Sequence, residues 1–322
     1  MKKIILFAFM IPWLFIAYAQ ETAIPEAGIS NNLIKAKLYL PDFESGYYRG
    51  TRFDWSGIVA SLEYKGHNFY GQWFDKYNPE THDAVMGPVD EFGPVGYDDA
   101  KEGGTFLKIG VGILTKPDEK AYNSFQLYPI TNPGKWKIKK YRNGIRFIQN
   151  VKDPVYSYLY EKTVHLTEGK PEMVISYSLK NRGRNTIETT SYNHNFPVID
   201  KQHSGPGYVI SFPFKLSGTG QGFGEVVRIQ DNKLIYLRNQ TPADRVYCVD
   251  LQGFGKESKD YDITIENTNV GAGIRIQCDQ PLYRLVYWSS PTTVCPEPYI
   301  RIVVKPGEEL TWKIRFEYYT LP

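Results

Sequence analysis

Short segments in which apolar and polar side chains alternate with a period of two recur along this chain, and no other sequence feature restricts the fold so strongly. Such alternation lines the two faces of a β-strand, whereas an amphipathic helix needs a period of about 3.6 residues. Gly, Pro, Asn and Asp, which favour turns, separate the alternating segments. These predicted strands are Leu33–Leu40, Gly57–Tyr64, Phe106–Leu114, Gly144–Val151, Val155–Leu166, Glu172–Leu179, Tyr208–Lys215, Lys233–Arg238, Tyr261–Glu266, Ile274–Cys278, Leu282–Trp288 and Glu309–Tyr319.

Short turn sequences join several of these segments. Asn143-Gly144 suits a type I′ hairpin turn, because both residues accept positive φ. Asn181–Asn185 and Lys305–Glu308 are two further tight connections. Many strands joined by short turns predict an all-β chain folded as a large antiparallel β-sandwich. The irregular stretch Trp73–Gly104 is expected to rim a site, because long loops in compact domains are often functional.

The N-terminus has the three-part pattern of a secretory signal peptide. Two lysines precede the uncharged apolar run Ile4–Ile16, and residues 17–19 read Ala-Tyr-Ala. We expect cleavage after Ala19, which leaves residues 20–322 as one exported domain, periplasmic or secreted. An uncleaved anchor is the less favoured alternative, because a membrane span needs roughly 20 apolar residues.

Charge and cysteine content restrict the partners of the mature chain. Loss of the two N-terminal lysines lowers the formal net charge from +3 to +1. A near-neutral protein has no electrostatic attraction to nucleic acid or to an acidic membrane surface. Three cysteines, Cys248, Cys278 and Cys295, allow one disulfide whose pairing stays open, and the oligomeric state stays open too. Their spacing does not suggest zinc, and no metal or other cofactor is predicted.

The aromatic and acidic residues each allow two interpretations. The chain has 25 Tyr, 17 Phe and 6 Trp. Most of them fit β-strand surfaces, but such rings also stack on the apolar faces of sugars. Asp90, Glu91, Asp98 and Asp99 offer oxygen ligands for calcium. An acidic, solvated loop is the commoner explanation for such a cluster.

Two short motifs contain candidate catalytic residues. His194 lies in Tyr-Asn-His-Asn-Phe, where neighbouring Asn side chains can fix the tautomer of an imidazole. Glu297 lies in Cys-Pro-Glu-Pro, where two prolines stiffen the backbone around a carboxylate suited to a general base. Taken singly, the first is more often a structural histidine and the second an ordinary loop glutamate.

In their order and separation, the two motifs resemble the galactose mutarotase (aldose 1-epimerase) superfamily. A strand and turn before Asn193-His194, then Cys-Pro-Glu-Pro and Lys-Pro-Gly-Glu near the C-terminus, are similar to segments of that family. The resemblance implies a mutarotase-like β-sandwich, with His194 as the acid and Glu297 as the base. It covers the second half of the chain well and the first half loosely.

The first half departs from the family pattern at one position. Where the family has a histidine before two glycines, this chain has Glu102. The family also uses an early arginine, a role that Arg49 or Arg52 would fill, with a surface ion pair as the alternative. Lys108 is a candidate hydroxyl donor, although an outward-facing lysine is slightly favoured. Asn193 completes the predicted substrate-binding set.

The resemblance implies an isomerase that interconverts sugar anomers, with a sugar or glycan as partner. The base removes the proton of the anomeric hydroxyl, and the acid protonates the ring oxygen. Two alternatives stay open, because a fold does not determine a function. One is a glycan-binding protein without turnover. The other is a polysaccharide lyase-like enzyme, in which Arg49, Arg52 and Lys108 would neutralise a uronate.

Overall fold

The computed structural model describes residues 23–322, so the predicted signal peptide lies outside the described residues. Strands dominate this part of the chain, which confirms the all-β prediction. Two short 3₁₀ helices, Ile199–Lys201 and Ser258–Asp260, lie between them, and neither is long enough to cross a membrane. The strands are β1 (Glu26–Ser30), β2 (Ile34–Tyr39), β3 (Ile58–Tyr64), β4 (His67–Asn68), β5 (Val89–Phe92), β6 (Thr105–Lys108), β7 (Gly112–Thr115), β8 (Ile130–Asn132), β9 (Lys135–Tyr141), β10 (Gly144–Val151), β11 (Tyr158–Leu166), β12 (Glu172–Asn181), β13 (Ile187–His194), β14 (Tyr208–Ser211), β15 (Val227–Gln230), β16 (Lys233–Tyr236), β17 (Val246–Cys248), β18 (Asp262–Asn267), β19 (Ala272–Cys278), β20 (Arg284–Ser290), β21 (Thr293–Val304) and β22 (Glu309–Thr320).

Two large antiparallel sheets organise the molecule. The ten-stranded sheet has the order β15-β16-β14-β18-β19-β22-β12-β11-β10-β9. The five-stranded sheet has the order β17-β20-β21-β13-β5, and it carries the candidate site on one face. Smaller sheets, β1-β2-β3-β4 and β6-β7-β8, pair strands of the first half of the chain.

The main core lies between the two large sheets, and the period-two pattern explains its composition. Along β22, Trp312, Ile314 and Phe316 are buried and alternate with exposed Lys313 and Arg315. The same cluster contains Ile187 of β13 and Ile302 of β21, from the opposing sheet. Each large apolar side chain buried in this way contributes about 1.5–3 kcal/mol to folding.

One predicted strand is two strands in the structure. The segment Phe106–Leu114 forms a hairpin of β6 and β7 rather than a single strand. Gly110 in the turn and Gly112 at the start of β7 have φ of 80° and 141°, which favour glycine. The alternation of apolar residues continues through the turn, so the period alone did not reveal it.

Candidate functional site

Neighbouring strands bring His194 and Glu297 together. β13 and β21 pair in register up to Tyr192 opposite Tyr299. Two residues further, His194 ends β13 and faces Glu297 on the same side of the sheet, because side chains two apart share a face. Nε2 of His194 lies 3.2 Å from Oε1 of Glu297. Glu297 therefore belongs to a strand, and not to a loop before the last strands as the two prolines suggested.

The prolines of this motif end the ladder between β13 and β21. The backbone carbonyl of Tyr299 accepts a hydrogen bond from the N–H of Tyr283, on the β20 side. Because backbone groups alternate in direction along a strand, those of Pro298 and Pro296 point to the other side, towards β13. Proline has no N–H to donate to that neighbour. Nδ2 of Asn195 instead donates to the carbonyl of Pro296 at 3.2 Å. The end of the ladder thus lies where His194 and Glu297 meet.

Burial changes the acid–base properties of both groups. His194 is 3% exposed and Glu297 is 6% exposed. Burial raises the pKa of Glu297 to about 8, although the charge of Arg52 opposes this shift. Burial also lowers the pKa of His194 well below its ordinary value, and Arg52 adds to the effect. Near neutral pH the free protein therefore favours a protonated carboxyl beside a neutral imidazole.

Aromatic rings hold the imidazole in place. The ring of Phe196 stacks on His194 with centroids 3.6 Å apart, and Trp288 meets the imidazole edge-on at 5.6 Å. Trp73 stacks on the other face of Phe196 at 4.9 Å. Phe196 has a φ of 41°, which is rare for an aromatic residue and turns the chain directly after the histidine. The imidazole is consequently fixed with its Nε2 edge towards Glu297.

Arg52 forms an ion pair beside these residues. Its Nε donates to Oε2 of Glu91 at 2.7 Å, and its guanidinium also donates to the phenol oxygen of Tyr192. Burial opposes ionisation of Glu91, yet the charges of Arg52 and Lys108 keep its pKa below the ordinary value. The partner of Arg52 is therefore Glu91, not one of the nearby residues Asp42, Glu44 or Asp54.

A cavity of about 1020 Å³ opens over these groups. All five strands of the sheet contribute to its floor, and the irregular stretch predicted to rim a site supplies part of its wall through Trp73, Phe74 and His82. Residues lining the floor are Glu91, Tyr192, His194, Glu297, Tyr299, Arg284, Trp288 and Tyr247. The cavity combines aromatic surfaces with charged and amide groups, as small-molecule sites generally do.

The structure does not bring three of the predicted site residues to the cavity. Arg49 points elsewhere and donates to the backbone carbonyl of Glu44. Lys108 is fully buried behind Glu91, donates to the carbonyl of Phe92, and has a pKa lowered to about 8 by burial. The interpretation of Lys108 as an outward-facing lysine is therefore wrong.

Asn193 belongs to a buried polar cluster beneath the site. Strand alternation directs its side chain away from His194, and Nδ2 donates to Asp90 at 3.1 Å. Nζ of Lys162 lies 2.7 Å from Asp90 and 3.3 Å from Asp54, with all three side chains almost fully buried. Asp90 and Glu91 thus lie in a buried strand, so the interpretation as a solvated acidic loop is wrong for this pair.

Sequence reasoning missed several cavity residues. No sequence motif indicated Trp73, Trp288, Tyr299 or Arg284. The high aromatic content indicated only that aromatic residues as a class could bind a sugar. His82 lies in no motif either, yet it lines the cavity with its ring centroid 4.6 Å from that of Phe125. Its pKa is lowered by burial.

The cysteines and the acidic residues form no further site in the described residues. Cys248, Cys278 and Cys295 are buried free thiols. Burial raises the pKa of Cys278 to about 12. Within residues 23–322, no three His, Cys, Asp or Glu side chains form a group able to hold a metal ion.

Comparison of the coordinates with solved structures finds the same architecture in many proteins. A galactose mutarotase related enzyme from Lactobacillus acidophilus matches with a TM-score of 0.56 at 12% identity, over 92% of this chain and 97% of that chain. The chain has the galactose mutarotase-like fold. A GalM/aldose epimerase homologue from C. elegans matches with a TM-score of 0.56 at 10% identity, over 93% and 100% of the two chains.

A third galactose mutarotase-like structure, from Clostridium acetobutylicum, has a TM-score of 0.56 at 10% identity, over 94% of this chain and 98% of that chain. No protein-family model and no curated protein sequence matches the chain. The galactose mutarotase-like fold therefore persists here at very low sequence identity. This result confirms the resemblance at the level of fold.

Proposed function

We propose that the chain is an exported carbohydrate-active protein with aldose 1-epimerase-like activity, in which His194 and Glu297 interconvert sugar anomers. The 3.2 Å contact between the imidazole and the carboxyl, at the floor of an aromatic-walled cavity, carries this proposal. The names of the structural neighbours, a galactose mutarotase related enzyme and an aldose epimerase homologue among them, point in the same direction.

The pair holds the proton that ring opening requires. One group accepts the proton of the anomeric hydroxyl, while the other donates a proton to the ring oxygen and the bond from that oxygen to the anomeric carbon breaks. The resulting aldehyde rotates and the ring closes on its other face, which restores both protons. A protonated carboxyl with a neutral imidazole carries the same number of protons as a carboxylate with an imidazolium.

The free site favours the opposite assignment of the two roles from the one that the motifs imply. With its pKa raised to about 8, Glu297 is the proton donor, and neutral His194 is the acceptor. The two groups also lie side by side rather than on opposite sides of a hollow. In this arrangement the sugar contacts both groups from the cavity.

Anomer exchange measured by NMR across several aldoses tests this function. Loss of one acid or base group is expected to lower kcat by about 10²–10⁴-fold, so His194→Ala and Glu297→Gln should each do so. His165→Ala and Glu168→Gln are matched controls, because both side chains are exposed and neither lines the cavity. Wild-type exchange no faster than in buffer would contradict the proposed catalysis.

Glycan binding without turnover is a second candidate function. It is favoured by the close contact of His194 with Glu297, since two nearly dry groups that face each other also form a stable structural pair. Calorimetric binding of a sugar that undergoes no anomer exchange would support this alternative.

The three basic residues predicted to neutralise a uronate give the lyase-like alternative little support. The charge of Arg52 is balanced by Glu91, while Arg49 and Lys108 do not line the cavity. Burial also raises the pKa of Tyr192 well above its ordinary value, which makes this phenol a poor base. Appearance of an unsaturated product from acidic polysaccharides would instead support lyase activity.

A further inference from the structure

The floor of the cavity is much wider than one sugar ring. It crosses the five-stranded sheet from Glu91 on edge strand β5 to Tyr247 on edge strand β17. Neighbouring strands are about 4.8 Å apart, so the four intervals span roughly 19 Å. The volume of about 1020 Å³ also reaches the upper end of the range for cavities that bind drug-sized molecules. A single pyranose would leave most of this space empty.

One end of the cavity is occupied by protein side chains. Arg52 fills the β5 end, where it bonds to Glu91 and Tyr192. The rings of Phe53 and Phe125 lie on the guanidinium, with centroids 4.6 Å and 5.1 Å from its central carbon. A ligand bound at His194 therefore has room to extend towards β17.

The β17 end presents groups suited to a second sugar. Tyr247 is 42% exposed and pairs through its backbone with Trp288, and Gln221 is bridged to it from a neighbouring loop. Arg284 also lines the cavity, but its guanidinium lies 4.1 Å from the ring centroid of Tyr299 on the central strand β21. We name Tyr247 and Gln221 the outer subsite. An exposed ring with a neighbouring amide matches the apolar face and hydroxyl groups of a pyranose.

We propose that the cavity binds the reducing end of an oligosaccharide, with the terminal ring at His194 and Glu297 and the next unit on the outer subsite. This inference rests on the proposed function, and it narrows the substrate class. Only the reducing-end ring has a free anomeric hydroxyl, so the remaining units must extend away from the pair. Glycosidic-bond hydrolysis of a polysaccharide is the class of reaction that supplies such ends, because water added across the bond leaves a hemiacetal of one configuration.

Calorimetric titration with gluco-, galacto-, manno- and xylo-oligosaccharides, from monosaccharide to tetrasaccharide, tests the inference. In at least one series we expect affinity to rise about tenfold from monosaccharide to trisaccharide, equivalent to ~1.4 kcal/mol. Tyr247→Ala should lower trisaccharide affinity and flatten this dependence on length, whereas Tyr247→Phe keeps the ring and should preserve it. Tyr141→Ala is the matched control, because Tyr141 is 53% exposed on edge strand β9 and does not line the cavity.

The outcomes separate this inference from the proposed function. If monosaccharides bind or exchange anomers and added units bring no gain in affinity, the oligosaccharide inference is wrong and the proposed function stands. A gain in affinity that survives in Tyr247→Ala would also overturn the role of the outer subsite. If no sugar of any length binds and no anomers exchange, both proposals are wrong.

Discussion

His194 and Glu297 are in contact, and burial and the charge of Arg52 shift the pKa of both side chains. Their low exposure disfavours charge on either side chain, and the stacked ring of Phe196 excludes water from one face of the imidazole. The cation of Arg52 favours a carboxylate and disfavours an imidazolium. Burial is therefore the largest cause of the shift in pKa of both groups in the free site.

The raised pKa of Glu297 predicts a pH-dependent contribution to stability. A carboxyl protonated in the folded state up to about pH 8 stabilises it most below its ordinary pKa of 4.5, and this contribution falls as pH rises to 8. The lowered pKa of His194 has the opposite effect. Its contribution to stability is present above its ordinary pKa of 6.5 and is lost as pH falls below that value. Between pH 6.5 and 8, the free energy of unfolding of wild type should therefore fall relative to Glu297→Gln. Urea denaturation of both proteins measures the difference, and parallel profiles would contradict it.

Lys162 balances the negative charge of two buried carboxylates beneath the site. Its ammonium lies between Asp54 and Asp90 and has no contact with solvent. Replacing it with methionine leaves both acids without this cation, so Lys162→Met should lower the free energy of unfolding by about 3–5 kcal/mol. Lys139→Met, on the exposed face of β9, should stay within about 0.5 kcal/mol of wild type. Equal denaturation midpoints for the two variants would show that the buried cluster is not stabilised by its lysine.

At the scale of elements, the register of β13 and β21 creates the site. Pro296 and Pro298, which suggested a loop, lie where the ladder between β13 and β21 ends. At the same positions β21 remains paired with β20. Proline in a strand is tolerated where no ladder hydrogen bond is required of it, and that condition depends on a neighbour distant in sequence. The sequence therefore singled out two residues that meet in the structure, but it predicted a loop where Glu297 lies in a strand.

The β6–β7 turn gives a test of close packing around a glycine. A Cβ at Gly110 would lie 2.5 Å from Oδ1 of Asp54, whereas at Gly66 it would meet nothing within 4 Å. Both residues have positive φ, at 80° and 85°, so the backbone cost of alanine is similar, about 1 kcal/mol. Gly110→Ala should therefore lower the free energy of unfolding by about 1–3 kcal/mol more than Gly66→Ala. Equal losses in denaturant titrations would contradict close packing at Gly110.

At the scale of the whole molecule, export remains a prediction from the N-terminal pattern. Expression of the full chain in a bacterial host should yield a periplasmic form that begins at Gln20, with a mass equal to residues 20–322. Because Cys248, Cys278 and Cys295 are buried free thiols, that mass should correspond to three unoxidised cysteines. Intact-mass spectrometry checks both statements. Retention of residues 1–19 in the membrane fraction would contradict cleavage.

The sequence alone determined the fold class, because a period-two pattern is local and appears wherever one face of a strand is buried. It also determined the pairing of His194 with Glu297, through two motifs whose order resembles a known family. Only the tertiary structure decided the partners of charged side chains. Arg52 meets Glu91, Lys108 lies behind that pair, and the register of β13 turns Asn193 away from the cavity. These outcomes depend on contacts between residues far apart in the chain, which local pattern does not encode.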